Sequence, residues 1–328
     1  MSKRKTAKKA AYFCVILVLV LVMIFSGLRI LESTVFYNNN TVDQGFVSKT
    51  ITRDGVDYFP RQDITVLLVM GIDQNGPVED SESYNNKGAA DTVMLLIFDE
   101  TNKECRILAL NRDTMLEMPV LGINGREAGT FFGQLALSHT YGSGLQDSCE
   151  NTRKTVSNFL YGINIDYYVS ANVDAVAIFN DAVGGVKVTV TEDFSEIDPT
   201  IEMGEVVLNG QQAIHYVQNR RGVGDQLNVS RMERQREYME SFLAAFQTQQ
   251  GQDVNFVASL FEEVSAYIVT DCSVTTMSKM LENFNSYDLV EIVTPEGENV
   301  LGSEYYEFYV DEEALDELIL RLFYAPKN

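Results

Sequence analysis

Nineteen residues without a single charge, Ala10 to Leu28, limit what this chain can be more than any other stretch of it. As an α-helix the run would measure roughly 28 Å, close to the hydrocarbon thickness of a bilayer. Lys3, Arg4, Lys5, Lys8 and Lys9 stand directly before it. A cleavable signal has a shorter apolar region and a small-residue cleavage site behind it. This run is long, rich in Val, Leu and Ile, and no Ala-x-Ala follows. We therefore expect an uncleaved transmembrane anchor over 10–31, a basic tail over 1–9 on the cytoplasmic side, and everything beyond on the outer side. The polar, Asn-rich stretch over 32–60 (TVFYNNNTVDQG) reads as a stalk with some β character, and 61–328 as one extracytoplasmic domain.

That outer part is acidic. Without the five basic residues of the tail, 20 Lys and Arg face 47 Asp and Glu, a balance of −27. Nucleic acid is excluded as a partner, because a phosphate backbone demands a basic surface. A site for phosphates would need a local arginine cluster or a metal to work against the domain's own field. Cys105, Cys149 and Cys272 lie outside, where a disulfide persists. Their spacing fits no zinc site. Cys149–Cys272 is the favoured pair, since Cys105 sits in an apolar strand. With two histidines, His139 and His215, and neither HExxH nor GxSxG, zinc and serine hydrolases are poorly supported.

Apolar runs near Ile64–Met70, Thr92–Phe98 and Arg106–Leu110 read as strands buried on both faces. Beyond them, Asp147 with Glu150 marks a capping-box helix start. IDYYVSA reads as a strand, NVDAVAIFNDAVGG as a helix with a Gly stop, VKVTV as a strand, and SRMERQREYMESFLAAF as a strong helix. Two further helical stretches, the strand DLVEIVTP, a short strand near EFYV and a terminal helix from about Asp311 complete an α/β layered domain.

The stretch LALNRDTM, 108–115, delivers an arginine and a carboxylate from the end of a buried strand with no Gly or Pro. A surface ion pair is the ordinary explanation. The polar link DETNKE, however, makes a hairpin of this strand and the one before it. Centred on Asn102, that hairpin sets Asp91 opposite Asp113. Two carboxylates flanking Arg112 at a sheet end repel unless a cation joins them. Mg²⁺ shared with substrate phosphates is one such cation, with Asp91 and Asp113 as its ligands; strand-end caps are the other reading.

A second constellation is YVQNRRGVGDQLNVSRMERQ. Arg231, Arg234 and Gln235 fall at i, i+3 and i+4 on one helix face, within its first turns, where backbone N–H groups and the helix dipole favour an anion. Arg220 and Arg221 precede by a short loop. Either this is a solvated basic stripe, or its forked guanidiniums hold a pyrophosphate.

Taken together, VLLVMGID, ADTVMLL, LALNRDT, GINIDYYVSANVDAVAIFNDAVGGVKVTV, LNGQQAIHYVQNR and SRMERQR resemble the LytR-CpsA-Psr family of cell-wall ligases, from about Ile64 to Phe246. The resemblance implies an α/β/α sandwich around a mixed central sheet, with an apolar pocket for a lipid. It implies an Mg²⁺-dependent phosphotransferase that moves a glycopolymer from polyprenyl pyrophosphate to peptidoglycan. Asp91 matches the aspartate of the family's Arg-Ser-Asp stretch, and Arg112 with Asp113 its Arg-Asp pair. Arg220 matches the second arginine of its Arg-x-Arg, and Arg231, Arg234 and Gln235 its Arg-x-x-Arg-Gln. Ala89, Gln218 and Asn228 depart from the pattern; Lys87, Arg221 and Asp225 stand close enough to compensate. A non-catalytic lipid-pyrophosphate-binding regulator and a simple pyrophosphatase are the competing expectations.

Overall fold

Three apolar runs dominate the middle of the chain, and alternate residues along each of them enter two separate cores. Leu67, Val69, Met94, Leu96 and Ile107 face one core; Val66, Leu68, Met70, Leu95 and Leu108 face the other. Such period-two alternation with both faces apolar requires a sheet covered on both sides. The computed structural model describes residues 50–326 apart from 54, 82–85, 220–221, 224–227, 254–255, 274–275, 277–278, 281–282, 284–285 and 303–304. The basic tail, the expected anchor and residues 32–49 of the expected stalk lie outside the described residues. Among those described, no helix is long and apolar enough to cross a membrane.

In chain order the strands are β1 (Ile51–Arg53), β2 (Val56–Pro60), β3 (Ile64–Ile72), β4 (Ala90–Asp99), β5 (Glu104–Leu110), β6 (Met115–Leu121) and β7 (Glu127–Gln134). A 3₁₀ segment (Leu135–Thr140) and helix α1 (Gln146–Phe159) lead to β8 (Tyr167–Asn172), helix α2 (Ala175–Ala182), β9 (Val186–Val190) and β10 (Gly204–Leu208). Helices α3 (Gly210–Gln218), α4 (Asn228–Gln252) and α5 (Phe256–Val264) follow, then β11 (Ile268–Thr270) and β12 (Asp288–Val293). The chain closes with β13 (Gly297–Leu301), β14 (Tyr306–Val310), helix α6 (Glu312–Phe323) and β15 (Tyr324–Pro326).

The central sheet runs β11-β8-β3-β4-β5-β12. β8 and β12 are parallel to their partners β3 and β5, and the remaining pairs are antiparallel. The sheet is therefore mixed, as expected. One core gathers residues of α2 to α5 and of β9 and β10; the other gathers residues of α1 and α6. Helices thus cover both faces.

VKVTV is a strand, as expected, and forms a ribbon with β10. β1 and β2 fall within the expected stalk and carry its β character: β2 pairs with β1 and with the C-terminal β15. Two local expectations change. No capping box starts α1. Asp147 instead accepts from Ser143 N and Oγ at 2.9 and 2.5 Å, and Glu150 pairs with Arg153. Cys149 and Cys272 are free thiols lodged in opposite cores, separated by the sheet, so the expected disulfide does not form.

Candidate active site

The β4–β5 hairpin places the site. Its register pairs Val93 with Leu110 and Asp99 with Glu104, one residue away from the register expected from the sequence. The turn explains the offset. Asp99 accepts from Thr101 N at 3.1 Å and Asn102 N at 2.8 Å, and Lys103 takes a left-handed backbone with φ of 58°, so the loop holds four residues. Extended to the far end, this register sets Asp91 against Arg112 rather than against Asp113. The side chains meet there: Arg112 Nη1 lies 2.5 Å from Asp91 Oδ2, and Arg112 Nε 3.7 Å from Asp113 Oδ1.

No Gly or Pro is needed at the end of β5 because Asn111 closes the turn. Its Oδ1 accepts from Asp113 N at 3.0 Å, and its carbonyl accepts from Thr114 N and Oγ1 at 3.0 and 2.6 Å. Neighbours then fix the backbone. Ala136 N donates to Arg112 O at 3.0 Å, Phe308 N to Asp113 O and Leu135 N to Thr114 O at 2.8 Å each. Arg112 and Asp113 thus project from a locked turn.

Both carboxylates hold protons more tightly than ordinary ones. Burial pushes Asp91 up, the Arg112 cation opposes that, and the charges of Asp73 and Asp113 reinforce it. Asp113 is raised by burial, against the pull of Arg112. An ion pair as short as Arg112–Asp91 normally lowers a carboxylate; here the loss of water around it outweighs the cation. The Arg112 side chain keeps half of its surface open.

A buried polar network supports the strand end that carries Asp91. Gly88 N donates to Asn86 Oδ1 at 2.7 Å, and Asn86 Nδ2 donates to His139 O at 2.7 Å and Ser148 Oγ at 3.1 Å. His139 Nδ1 donates to Gly88 O at 2.8 Å, which fixes the neutral tautomer. Burial drives that imidazole down to about 4. A Cβ on Gly88 would come within 2.6 Å of Ile72 Cγ2, so only glycine passes there. Sequence reasoning missed Asn86, His139 and Gln134, whose Nε2 donates to Asp113 Oδ1 at 3.0 Å. Nothing local marks any of the three, because their partners are brought by the fold.

The arginine helix is only partly visible. α4 begins at Asn228, so Arg231, Arg234 and Gln235 do lie in its first turns. The side chains of Arg231 and Gln235, and both Arg220 and Arg221, lie outside the described residues. Lys87 is exposed beside Gly88. Arg234 does not present an open fork. It is 5% exposed, pairs with Glu192, and donates to Tyr216 O at 3.2 Å and Asn219 O at 2.5 Å. The rings of Phe194 and Tyr216 flank it at 5.2 and 5.9 Å. A buried guanidinium requires such partners, and Glu192 supplies a countercharge here.

Among the described residues, no group of three or more His, Cys, Asp or Glu side chains is arranged to hold a metal. Asp91 and Asp113 remain as a pair whose raised proton affinity marks negative charge short of solvation. That suits a hard dication completed by ligand oxygens. A cavity lined by Arg61, Ile64, Ile163, Asp166 and Tyr324 opens at the opposite end of the sheet, too remote to serve this corner.

The sequence profile of the LytR_cpsA_psr family matches residues 32–323. The chain is 27% identical over 290 residues, 86% of either chain, to a protein of Halalkalibacterium halodurans named polyisoprenyl-teichoic acid–peptidoglycan teichoic acid transferase TagU. It is also similar in fold to solved structures: TagT bound to LI-WTA, at 21% identity and a TM-score of 0.54 over 80% of this chain and 90% of that one; and TagV of B. subtilis, at 23% and 0.54 over 80% and 96%.

Proposed function

Since the chain belongs to the LytR-CpsA-Psr family, we propose that it is a phosphotransferase that attaches a polyprenyl-pyrophosphate-linked anionic glycopolymer to peptidoglycan. The observation that carries this reading is the corner itself: a half-open Arg112 between two carboxylates, on a locked turn, in a domain otherwise hostile to phosphate. A hydroxyl of the acceptor glycan attacks the phosphorus next to the donor sugar. One P–O bond forms, the P–O bond to polyprenyl phosphate breaks, and the hydroxyl proton passes to Asp91 or to water. Asp91's raised proton affinity makes it a better acceptor than an ordinary carboxylate. Arg112 neutralises charge on the transferring phosphoryl group, which is most of what phosphoryl transfer asks of a protein. Asp91 and Asp113 would hold Mg²⁺, which when bound supplies further neutralisation of phosphate oxygens.

On this reading the N-terminal run anchors the protein in the membrane, with the catalytic domain outside. Protease added to intact cells should then degrade the domain and spare the basic tail; a tail cut first would reverse the orientation. Activity is tested with the purified domain, Mg²⁺, lipid-linked donor and peptidoglycan fragments, following the product by mass. Glycan-phosphate joined to peptidoglycan supports the transferase, and release to water alone makes it a pyrophosphatase. A second reading, a non-catalytic regulator that binds lipid pyrophosphate, draws on the internal engagement of Arg234 with Glu192. Donor binding without turnover would favour it.

A further inference from the structure

Asp113 sits at the edge of an exposed aromatic face. β6 pairs with β7, and a parallel bridge between Thr114 and Phe308 sets β14 on the other flank of the same segment. Alternation along these strands puts Asp113, Met115 and Glu117 on one side of the ribbon, together with Phe132 and Gln134 of β7 and Glu307 and Tyr309 of β14. The hydrogen bond from Gln134 Nε2 to Asp113 Oδ1 agrees with that placement, and the same amide group donates to Tyr306 O at 2.8 Å. Gln134 therefore ties both flanking strands to the carboxylate. On the other side of the ribbon Thr114, Leu116, Met118 and Phe308 are buried, while Phe131 stays exposed.

On the open side, Phe132 is 57% and Tyr309 42% exposed, and Tyr305 at the hairpin end is 66% exposed. Exposed aromatics gathered beside one polar centre mark an interaction surface more than a folding need. The Tyr309 ring is also held: its hydroxyl donates to Glu307 Oε2 at 2.7 Å. Charged neighbours on this side, Glu117, Glu298 and Glu307, are all acidic. A polyanion is repelled here. A sugar chain with apolar C–H faces and many hydroxyl donors is not: its faces stack on rings, and its hydroxyls donate to carboxylates.

We propose that this face, Phe132, Tyr309 and Tyr305 around Gln134, docks the acceptor: an uncharged stretch of an N-acetylhexosamine glycan, led onto Asp113 from the side opposite to the anionic donor. The proposal rests on the transferase reading for the word acceptor, but not for the glycan site. Gln134 is a positioning residue; it orients Asp113 and joins the two aromatic flanks.

The test uses the complete outer domain and soluble β-1,4-linked N-acetylhexosamine oligosaccharides. Binding is read by calorimetry or NMR, without donor. Phe132→Ala with Tyr309→Ala should weaken binding about tenfold or more, while Tyr309→Phe, which keeps the ring, should stay within a few-fold. With donor present, the double variant should need more acceptor for half-saturation, while donor hydrolysis to water is unchanged. Wild-type protein that binds no oligosaccharide, or a double variant that binds as well as wild type, overturns the proposal. So does a concentration-dependent dimer abolished by the double variant, which would assign the face to a second copy. Oligosaccharide binding lost in the variant, with no donor turnover in any protein, would leave the glycan site standing and sink the transferase reading instead.

Discussion

Two arginines of this domain, Arg112 and Arg234, both match motifs expected to meet a phosphate, and the fold treats them in opposite ways. Arg112 leaves half of its side chain to solvent, between Asp91 and Asp113 on a turn that other strands hold rigid. Arg234 is buried among two carbonyl oxygens, two ring faces and Glu192. The first has surface left for a ligand. The second has its charge matched from within, and it ties helix α4 to the segments after β9 and α3. An arginine motif therefore says where a cation is, and only the surroundings say whether its charge is available.

The largest expected effects separate the two directly. Arg112→Ala should lower turnover about a thousandfold, as loss of a phosphate-neutralising arginine does, yet shift stability by less than about 0.5 kcal/mol, because the pair is half-exposed. Arg234→Ala should do the reverse. Leaving the mostly covered Glu192 without its partner should cost roughly 3 kcal/mol, visible as a fall in melting temperature before any assay is run. A stable Arg234→Ala domain that fails only in donor binding would restore the phosphate role and break the contrast.

A somewhat smaller effect should appear on acidification. His139 is neutral in the fold, with its proton affinity lowered by burial to about 4 from an ordinary 6.5. Above pH 6.5 neither state is protonated there and the group contributes no pH dependence. As pH falls from 6.5 to 4 the unfolded chain gains a proton that the fold refuses, so stability is lost by up to roughly 3 kcal/mol. Urea melts at pH 7 and pH 4.5 should show this slope in the wild type and a flatter one in His139→Gln. Equal slopes would remove His139 from the support of the Gly88–Asp91 segment.

These cases also show what could be read in advance. The doubly covered sheet was legible because its strands are apolar on both faces, a pattern that local sequence carries; that the sheet is mixed was implied only by the family resemblance. The Asp91–Arg112–Asp113 corner was legible as a neighbourhood, but its register was off by one residue. That depended on Asp99 capping its own turn and on the left-handed Lys103. Glu192 opposite Arg234, and Gln134 beside Asp113, were invisible. Each lies about 20 or more residues from its partner in sequence and meets it only through tertiary packing. The Cys149–Cys272 pairing failed for the same reason, since nothing in the spacing tells which face of the sheet a thiol joins.

Between the two carboxylates the contrast can be sharpened further. Asp91→Asn and Asp113→Asn each remove a charge without opening a cavity. Each should raise the Mg²⁺ concentration needed for half-maximal turnover by roughly tenfold or more, with melting temperatures near wild type. In the wild type, activity should fall with acid at a pH above the ordinary carboxylate range, because both groups bind protons more tightly than usual. Mg²⁺ titrations that superimpose for wild type and both variants would reduce the pair to strand-end caps.

The smallest effect concerns the turn beneath each arginine. Asn111 Oδ1 accepts from Asp113 N and so shapes the turn that carries Arg112. Asn219 Nδ2 donates to His215 O at 3.1 Å at the end of α3, while its backbone carbonyl receives Arg234. Either residue changed to Ala should cost about 1 kcal/mol, the net value of one hydrogen bond. Their functional consequences should differ. Asn111→Ala frees the turn that aims Arg112 and Asp113, and a displaced cation neutralises the transferring phosphoryl group poorly, so turnover should drop about tenfold at temperatures where the domain is still folded. Asn111→Asp keeps an acceptor oxygen in place and should recover most of the stability. Asn219→Ala leaves the backbone carbonyl that holds Arg234, so it should lose stability alone. Equal loss of turnover in Asn111→Ala and Asn219→Ala would mean that both arginines are aimed at the ligand, and that the division between an open and a committed guanidinium is wrong.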